Sequence, residues 1–269
     1  MKLTVDGREA YAYTGGKAFD PTLPCLVFIH GALNDHTVWT LLARWFAHHG
    51  CGVLAVDLPG HMRSAGPALL DIESMADWTL ALLDAAGVKQ AALAGHSMGS
   101  LVALEAAGRA PERVTRLVML GTAVPMAVPK ALLDLSIAAP LKAIDRVVSF
   151  SFSTLAAKPS YPGPGVWLRG AARQLMRLVL HHQRDAALFH NDFAACDRYT
   201  HGLQAAALVR CPAHLVLARD DQMTPTRATS ALAAVLKAEV HTLPAGHFLM
   251  QECPDGALKA LRAAMDRAQ

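Results

Sequence analysis

Apolar and polar positions along the chain follow two rhythms. Short, nearly unbroken apolar runs occur at Leu26-Val27-Phe28-Ile29, Val53-Leu54-Ala55-Val56, Ala91-Ala92-Leu93-Ala94 and from Val114 to Leu120. Runs of this length without alternation are expected of strands buried on both faces, the situation in a parallel sheet. Between them lie longer stretches with helical spacing, at 37–49 before Gly50, at 72–86 before Gly87, and from Leu101 to Ala107. Glycine directly after the last periodic residue is a helix stop. After a long interruption the alternation resumes with His214-Leu215-Val216-Leu217, a helix near 227–237, the strand Val240-His241-Thr242-Leu243 and a last helix to about Arg267. Strands alternating with helices predict an α/β fold with a mainly parallel central sheet flanked by helices.

The interruption spans residues 123–200. Its helical patterns are broken by Pro125, Pro129, Pro140, Pro159, Pro162 and Pro164. It is expected to be an inserted, mostly helical cap, leaving 1–122 and 201–269 as the core.

Composition narrows the partners. Of 269 residues 53% are hydrophobic and 17% charged, and the net charge is only +3 with no Lys/Arg-rich run. A nucleic-acid partner is therefore not expected. The five cysteines are widely and irregularly spaced without a C-x-x-C pair, and Cys25 and Cys211, at the heads of apolar runs, are expected to be small buried hydrophobes, which points to a reducing compartment. Neither a signal-like apolar core near Met1 nor a membrane-length apolar run is present, so the expectation is a soluble, cytoplasmic protein with no integral membrane segment.

The chemistry concentrates at Gly95-His96-Ser97-Met98-Gly99, between an apolar strand and a helical run. A serine at such a corner needs small residues two positions before and after it, and Gly95 and Gly99 meet that need. Serine requires a base, and the base an orienting acid. Asp221 follows the strand ending near Ala218, and His247 follows the strand ending at Leu243. Each has a plainer explanation: Asp220 or Asp221 as a helix N-terminal acid, His247 as one of thirteen histidines. The order Ser97, Asp221, His247, each after its own strand, is the order that an elbow serine calls for.

With these motifs the chain resembles the α/β-hydrolase superfamily. The resemblance is carried by His30-Gly31, Asp57-Leu58-Pro59-Gly60-His61, the Ser97 pentapeptide, Asp221 with Pro225 four residues on, and Gly246-His247. Ala218 and Met62 stand where the family usually has glycine. The spacing to Pro225 favours Asp221 over Asp220. The resemblance implies a helical cap inserted after the sixth strand, the catalytic set Ser97, Asp221 and His247, and an oxyanion hole from the backbone N–H groups of Ala32 and Met98. It implies no cofactor and no metal. His30 and His96 form no ligand-spaced pair and are expected to be hydrogen-bonded loop histidines, with Asp57 a loop-fixing carboxylate.

The expected activity is hydrolysis of small, uncharged or weakly polar carboxylic esters through an acyl-enzyme. Thioesters, or the carbon–carbon bonds of vinylogous diketones, are the alternatives; relatives with the latter activity tend to carry Asn before the serine and Trp after the histidine, where this chain has His96 and Phe248. A ligand-binding sensor on the same fold is the non-catalytic alternative. Within the cap, Arg169, Arg173, Arg177 and His181 recur every fourth residue. On a helix they form a basic stripe, read either as a solvated face or as an anchor for an anionic substrate or membrane surface. Phe150, Phe152, Leu155, Trp167 and Phe189 are candidates for an apolar acyl pocket.

Overall fold

The computed structural model describes residues 1–182 and 187–266. Its sheet runs in the order β1-β2-β4-β3-β5-β6-β7-β8. The strands are β1 (Lys2–Val5), β2 (Arg8–Tyr13), β3 (Cys25–Ile29), β4 (Gly52–Val56), β5 (Ala91–His96), β6 (Val114–Leu120), β7 (Ala213–Ala218) and β8 (Glu239–Leu243). From β4 to β8 every pairing is parallel, with Ile29 opposite Gly95 and Leu120 opposite both His96 and Val216. Strands β3, β4, β5 and β7 are buried along their whole length, as their unbroken apolar runs require.

The helices follow the predicted alternation. α1 (Thr40–Ala47) is preceded by a 3-10 turn, capped by the Asp35 carboxylate accepting from Thr37 N–H (2.9 Å). α2 (Ile72–Ala85) is capped by Asp71, which accepts from Ser74 N–H (2.7 Å), satisfying a donor that the helix leaves orphaned. α3 (Met98–Arg109) starts directly after Ser97. Between β6 and β7 come α4 (Lys130–Ala138), α5 (Pro140–Ser151), α6 (Leu168–His182), α7 (Leu188–Arg198) and α8 (Gly202–Leu208), so the helical insertion does follow the sixth strand. The C-terminal part holds α9 (Ser230–Leu236), α10 (Leu249–Glu252) and α11 (Pro254–Met265). The predicted helix end near Arg267 lies outside the described residues.

Three features depart from the pattern-based expectation. β1 and β2 form an antiparallel hairpin that continues the sheet beyond β4, where no strand was expected. Cys211 is half-buried rather than buried, whereas Cys25 at the start of β3 is buried and its thiol is pushed up to about 12, chiefly by burial. The arginines of the α6 stripe are partly exposed, yet each is engaged by α5. Arg173 pairs with Asp145 of α5 (2.8 Å), Arg177 reaches the same carboxylate (3.4 Å), and Arg169 donates to the Ser149 carbonyl (3.0 Å). Those cations bind α6 to α5.

Candidate functional site

In an open parallel sheet, ligand-facing groups gather in the loops beyond the carboxyl ends of the strands. That edge receives His30-Gly31 after β3, Asp57 after β4, Ser97 after β5, Asp221 after β7 and His247 after β8.

Ser97 has φ 53° and ψ −121°, a left-handed conformation unusual for a residue with a side chain. Such a conformation costs on the order of 1–3 kcal/mol and persists only where the surroundings enforce it. Here the enforcement is steric. A Cβ on Gly95 would lie 2.0 Å from the Gly99 carbonyl oxygen, and one on Gly99 would lie 2.3 Å from that of Ile29. Only with both side chains absent can strand and helix meet this closely. The Ser100 hydroxyl donates to the Ser97 carbonyl (2.6 Å) and helps fix the turn.

His247 Nδ1–H donates to Asp221 Oδ2 (2.9 Å). The same carboxylate accepts from Met223 N–H (2.8 Å), Thr224 N–H (2.8 Å) and the Thr224 hydroxyl (2.7 Å). Burial works against the charged form of Asp221, but the His247 ring and these donors outweigh it, and its pKa lies below the ordinary carboxylate value. Asp220 is exposed and reaches Arg219 instead (3.6 Å). With Nδ1 committed to Asp221, the ring nitrogen left for other chemistry is Nε2. Ser97, His247 and Ala32 line one cavity of about 300 Å³.

The two N–H groups expected to bind an oxyanion belong to Met98, at the start of α3, and Ala32, in the loop after β3. Met98 is the first residue of α3, where a backbone N–H has no intrahelical acceptor and the helix dipole favours negative charge. Ala32 lies in a braced loop. The Asn34 side-chain amide donates to the Ala32 carbonyl (2.8 Å), and Leu33 N–H donates to Asp192 Oδ2 (2.7 Å).

Asp192 is a residue that sequence reasoning missed. It sits on α7 and is fully buried, and its Oδ2 also accepts from His61 Nε2 (3.0 Å). Burial disfavours the charged form of His61, yet the Asp192 carboxylate prevails and raises its pKa. A contact between residues 159 positions apart leaves no local signal, and on a helix that also carries His190, Asn191, Asp197 and Arg198 one more polar residue does not stand out.

His96 donates from Nε2 to the His247 carbonyl (2.9 Å), and burial, reinforced by the nearby His247 ring, pushes its pKa down to about 3. His30 donates from Nδ1 to the Gly31 carbonyl (2.8 Å) and accepts from Leu58 N–H (3.1 Å); burial, then His61, pushes it down to about 4. Asp57 accepts from His36 N–H (2.8 Å), His36 Nδ1 (2.7 Å) and Arg63 N–H (3.1 Å), bracing its loop. Among the described residues, two groups have donor atoms close enough to hold a metal: Asp35, His36 and Asp57, and His214, Glu239 and His241 on β7 and β8. Neither group includes Ser97, Asp221 or His247.

Of the aromatic and aliphatic residues expected to form an acyl pocket, Phe150 lines the cavity. Phe152 instead stacks on Phe248 (5.1 Å), and Phe189 packs against Phe193 (4.8 Å). Leu155 and Trp167 are exposed. No helix among the described residues is long and apolar enough to cross a membrane.

Comparison with known proteins adds family and fold. Residues 26–260 match the model of the alpha/beta hydrolase family. The dihydrolipoyllysine-residue acetyltransferase component of the acetoin cleaving system of Pseudomonas putida is 37% identical over 130 residues, 46% of this chain and 32% of that protein. The sn-1-specific diacylglycerol lipase ABHD11 of Mus musculus is 36% identical over 101 residues, 37% of this chain and 33% of that protein. The chain thus spans about a third of the length of these curated relatives. The enol-lactonase from Burkholderia xenovorans LB400 superposes with a TM-score of 0.85 at 20% identity, covering 98% of this chain and 99% of that one, a likeness of fold.

Proposed function

The chain belongs to the alpha/beta hydrolase family, and on that premise we propose that it is a serine hydrolase cleaving small carboxylic esters, lactones included, through an acyl-enzyme. The observation that carries this reading is the Asp221–His247 hydrogen bond (2.9 Å), with Ser97 and His247 on the wall of one cavity. A lipase among its sequence relatives supports the ester assignment. We take residues 123–200 as a cap over the site and 1–122 with 201–269 as the core.

In this mechanism His247 Nε2 takes the Ser97 proton as Oγ attacks the ester carbonyl. Asp221 holds the ring with Nδ1 protonated and stabilises the imidazolium that forms. The negative charge on the carbonyl oxygen is received by the N–H groups of Ala32 and Met98; losing one such donor typically costs about 3–4 kcal/mol. Collapse of the tetrahedral intermediate expels the alcohol, which takes the proton from His247. Water, deprotonated by His247, then attacks the acyl-serine, and the acid leaves as Ser97 regains its proton. His96, held neutral by burial, donates to the His247 carbonyl and steadies the loop without competing for the transferred proton.

The test is turnover of short-chain chromogenic esters with labelling by a serine-reactive phosphonate. Wild-type protein should show both, and Ser97→Ala neither. Absence of turnover across acyl lengths together with absence of labelling would refute the assignment.

A further inference from the structure

The cavity beside Ser97 is walled mainly by apolar side chains, among them Met126, Leu132, Val147, Phe193 and Met223. One residue on that wall, Arg146 of α5, carries a permanent charge, and among the described residues no Asp or Glu lines it. We propose that Arg146 recognises a carboxylate on the substrate, so that the preferred substrates are esters or lactones with a carboxylate set away from the scissile bond on an apolar scaffold. The proposal rests on the ester-hydrolase reading of the same cavity.

The surrounding arginines make Arg146 distinctive. α5 offers acceptors at Asp145 and the Ser149 carbonyl, and Arg173, Arg177 and Arg169 of α6 already occupy them. Successive helix residues point about 100° apart, so Arg146 leaves the helix on a different side from Asp145. Among the described residues no hydrogen bond or ion pair engages the Arg146 guanidinium. It is exposed while its neighbour Val147 is buried, which places the charge at the rim of the apolar wall.

The helix that carries it is fixed to the catalytic edge. Phe248 N–H donates to the Ser151 carbonyl at the end of α5 (3.1 Å). Glu252 accepts from both Ser153 N–H (3.1 Å) and Gly246 N–H (3.0 Å), joining the end of α5 to the turn before His247. The backbone from which Arg146 extends, five residues earlier on the same helix, is therefore set relative to His247. A guanidinium in that position can pair with a carboxylate through two parallel N–H donors, which binds a planar anion more selectively than a point charge does.

The competing explanation is a surface arginine whose stem covers the apolar wall while its head stays in water. The two explanations differ in charge discrimination. Consider p-nitrophenyl esters of equal acyl length ending in a methyl group or a carboxylate, and a second pair with the carboxylate in the alcohol half. The ratio of kcat/KM, carboxylate over neutral, is the readout, because it cancels any loss of folded protein. Wild-type protein should show a ratio of about ten in at least one pair at low ionic strength, declining as salt screens the rim. In Arg146→Gln the ratio should fall below one, since a carboxylate against an apolar wall then has no partner for the hydration it loses. Arg146→Lys should retain part of the preference.

A wild-type ratio at or below one in both pairs, or a preference that survives in Arg146→Gln, overturns the proposal. Turnover of the neutral esters that Ser97→Ala abolishes would in that event leave the hydrolase reading intact. Absence of all turnover and of phosphonate labelling would instead remove that reading, and this one with it.

Discussion

Replacing Asp192 with alanine removes the carboxylate that ties α7 to the loop holding the proposed oxyanion donor. Asp192 is fully buried, and its Oδ2 accepts from Leu33 N–H at 2.7 Å and His61 Nε2 at 3.0 Å. Hydrogen bonds to a charged group contribute about 1.5–3 kcal/mol each, and truncation leaves both donors buried without an acceptor. The expected loss is about 3–5 kcal/mol, the range found when one partner of a buried ion pair is deleted. Asp192→Asn keeps an oxygen for both donors but sets an NH2 group where Oδ1 has no partner among the described residues, so its cost should be about half as large. Urea unfolding followed by fluorescence measures both values. Because Leu33 follows Ala32 directly, the alanine variant should also lower kcat by about 10–100-fold with a smaller change in KM, as expected when a donor to the transition state is displaced rather than deleted. In Asp192→Asn the pKa of His61 should fall, because burial then acts on it without the carboxylate. An alanine variant within about 1 kcal/mol of wild type would refute the energetic reasoning. Lost stability with kcat unchanged would refute the link to the oxyanion loop.

Gly95→Ala and Gly99→Ala place a Cβ 2.0 Å and 2.3 Å from backbone oxygens, so both should collapse thermal stability and labelling together, whereas Gly163→Ala, with nothing within 4 Å, should stay within about 0.5 kcal/mol of wild type. Acid should destabilise the fold through its buried neutral histidines. His30 and His96 titrate near 4 and 3 in the folded chain against 6.5 when unfolded, so the unfolded state takes up more protons as pH falls below 6.5. Each should remove about 1.5 kcal/mol between pH 6.5 and 5, with His61 opposing them because its folded pKa is raised. Unfolding free energies that are flat from pH 7 to 5 would show that these rings are not held neutral.

What the sequence revealed best is what short stretches of chain decide by themselves. The apolar runs at 26–29 and 91–94 located β3 and β5 to within two residues, because strands buried on both faces carry no polar positions to blur their limits. Glycine at 95 and 99 marked the elbow because a side chain on Gly95 would meet the first turn of α3 and one on Gly99 the end of β3. The interval between Asp221 and Pro225 separated the acid bonded to His247 from the exposed Asp220. The β1–β2 hairpin was readable but passed over. Asp6-Gly7, with φ of 48° and 75°, is the dipeptide that a tight two-residue turn favours. Its flanking strands carry too many polar residues to stand out as apolar runs, since both lie toward the open edge of the sheet.

The helical insertion was less legible, and the reason is physical. A helix pattern states which residues share a face, but not what that face meets. The four-residue recurrence of Arg169, Arg173 and Arg177 correctly implied a common side of α6, yet whether water, substrate or protein lay opposite depended on Asp145 and Ser149, on another helix. Asp192 and Arg146 show the same difficulty in opposite senses. One is an acid whose partners lie more than a hundred residues away, so a buried brace looks like an ordinary polar position. The other is a base on α5 that no motif or recurrence singles out, so a charge without a partner among the described residues looks like an ordinary surface position. Groups at strand ends are positioned by the sheet, whose strands short patterns locate; groups on an insertion are positioned by which side chains are already engaged. Charge selectivity among esters therefore tests what the motifs leave open, because it depends on Arg146 remaining free when its neighbours on α6 are not.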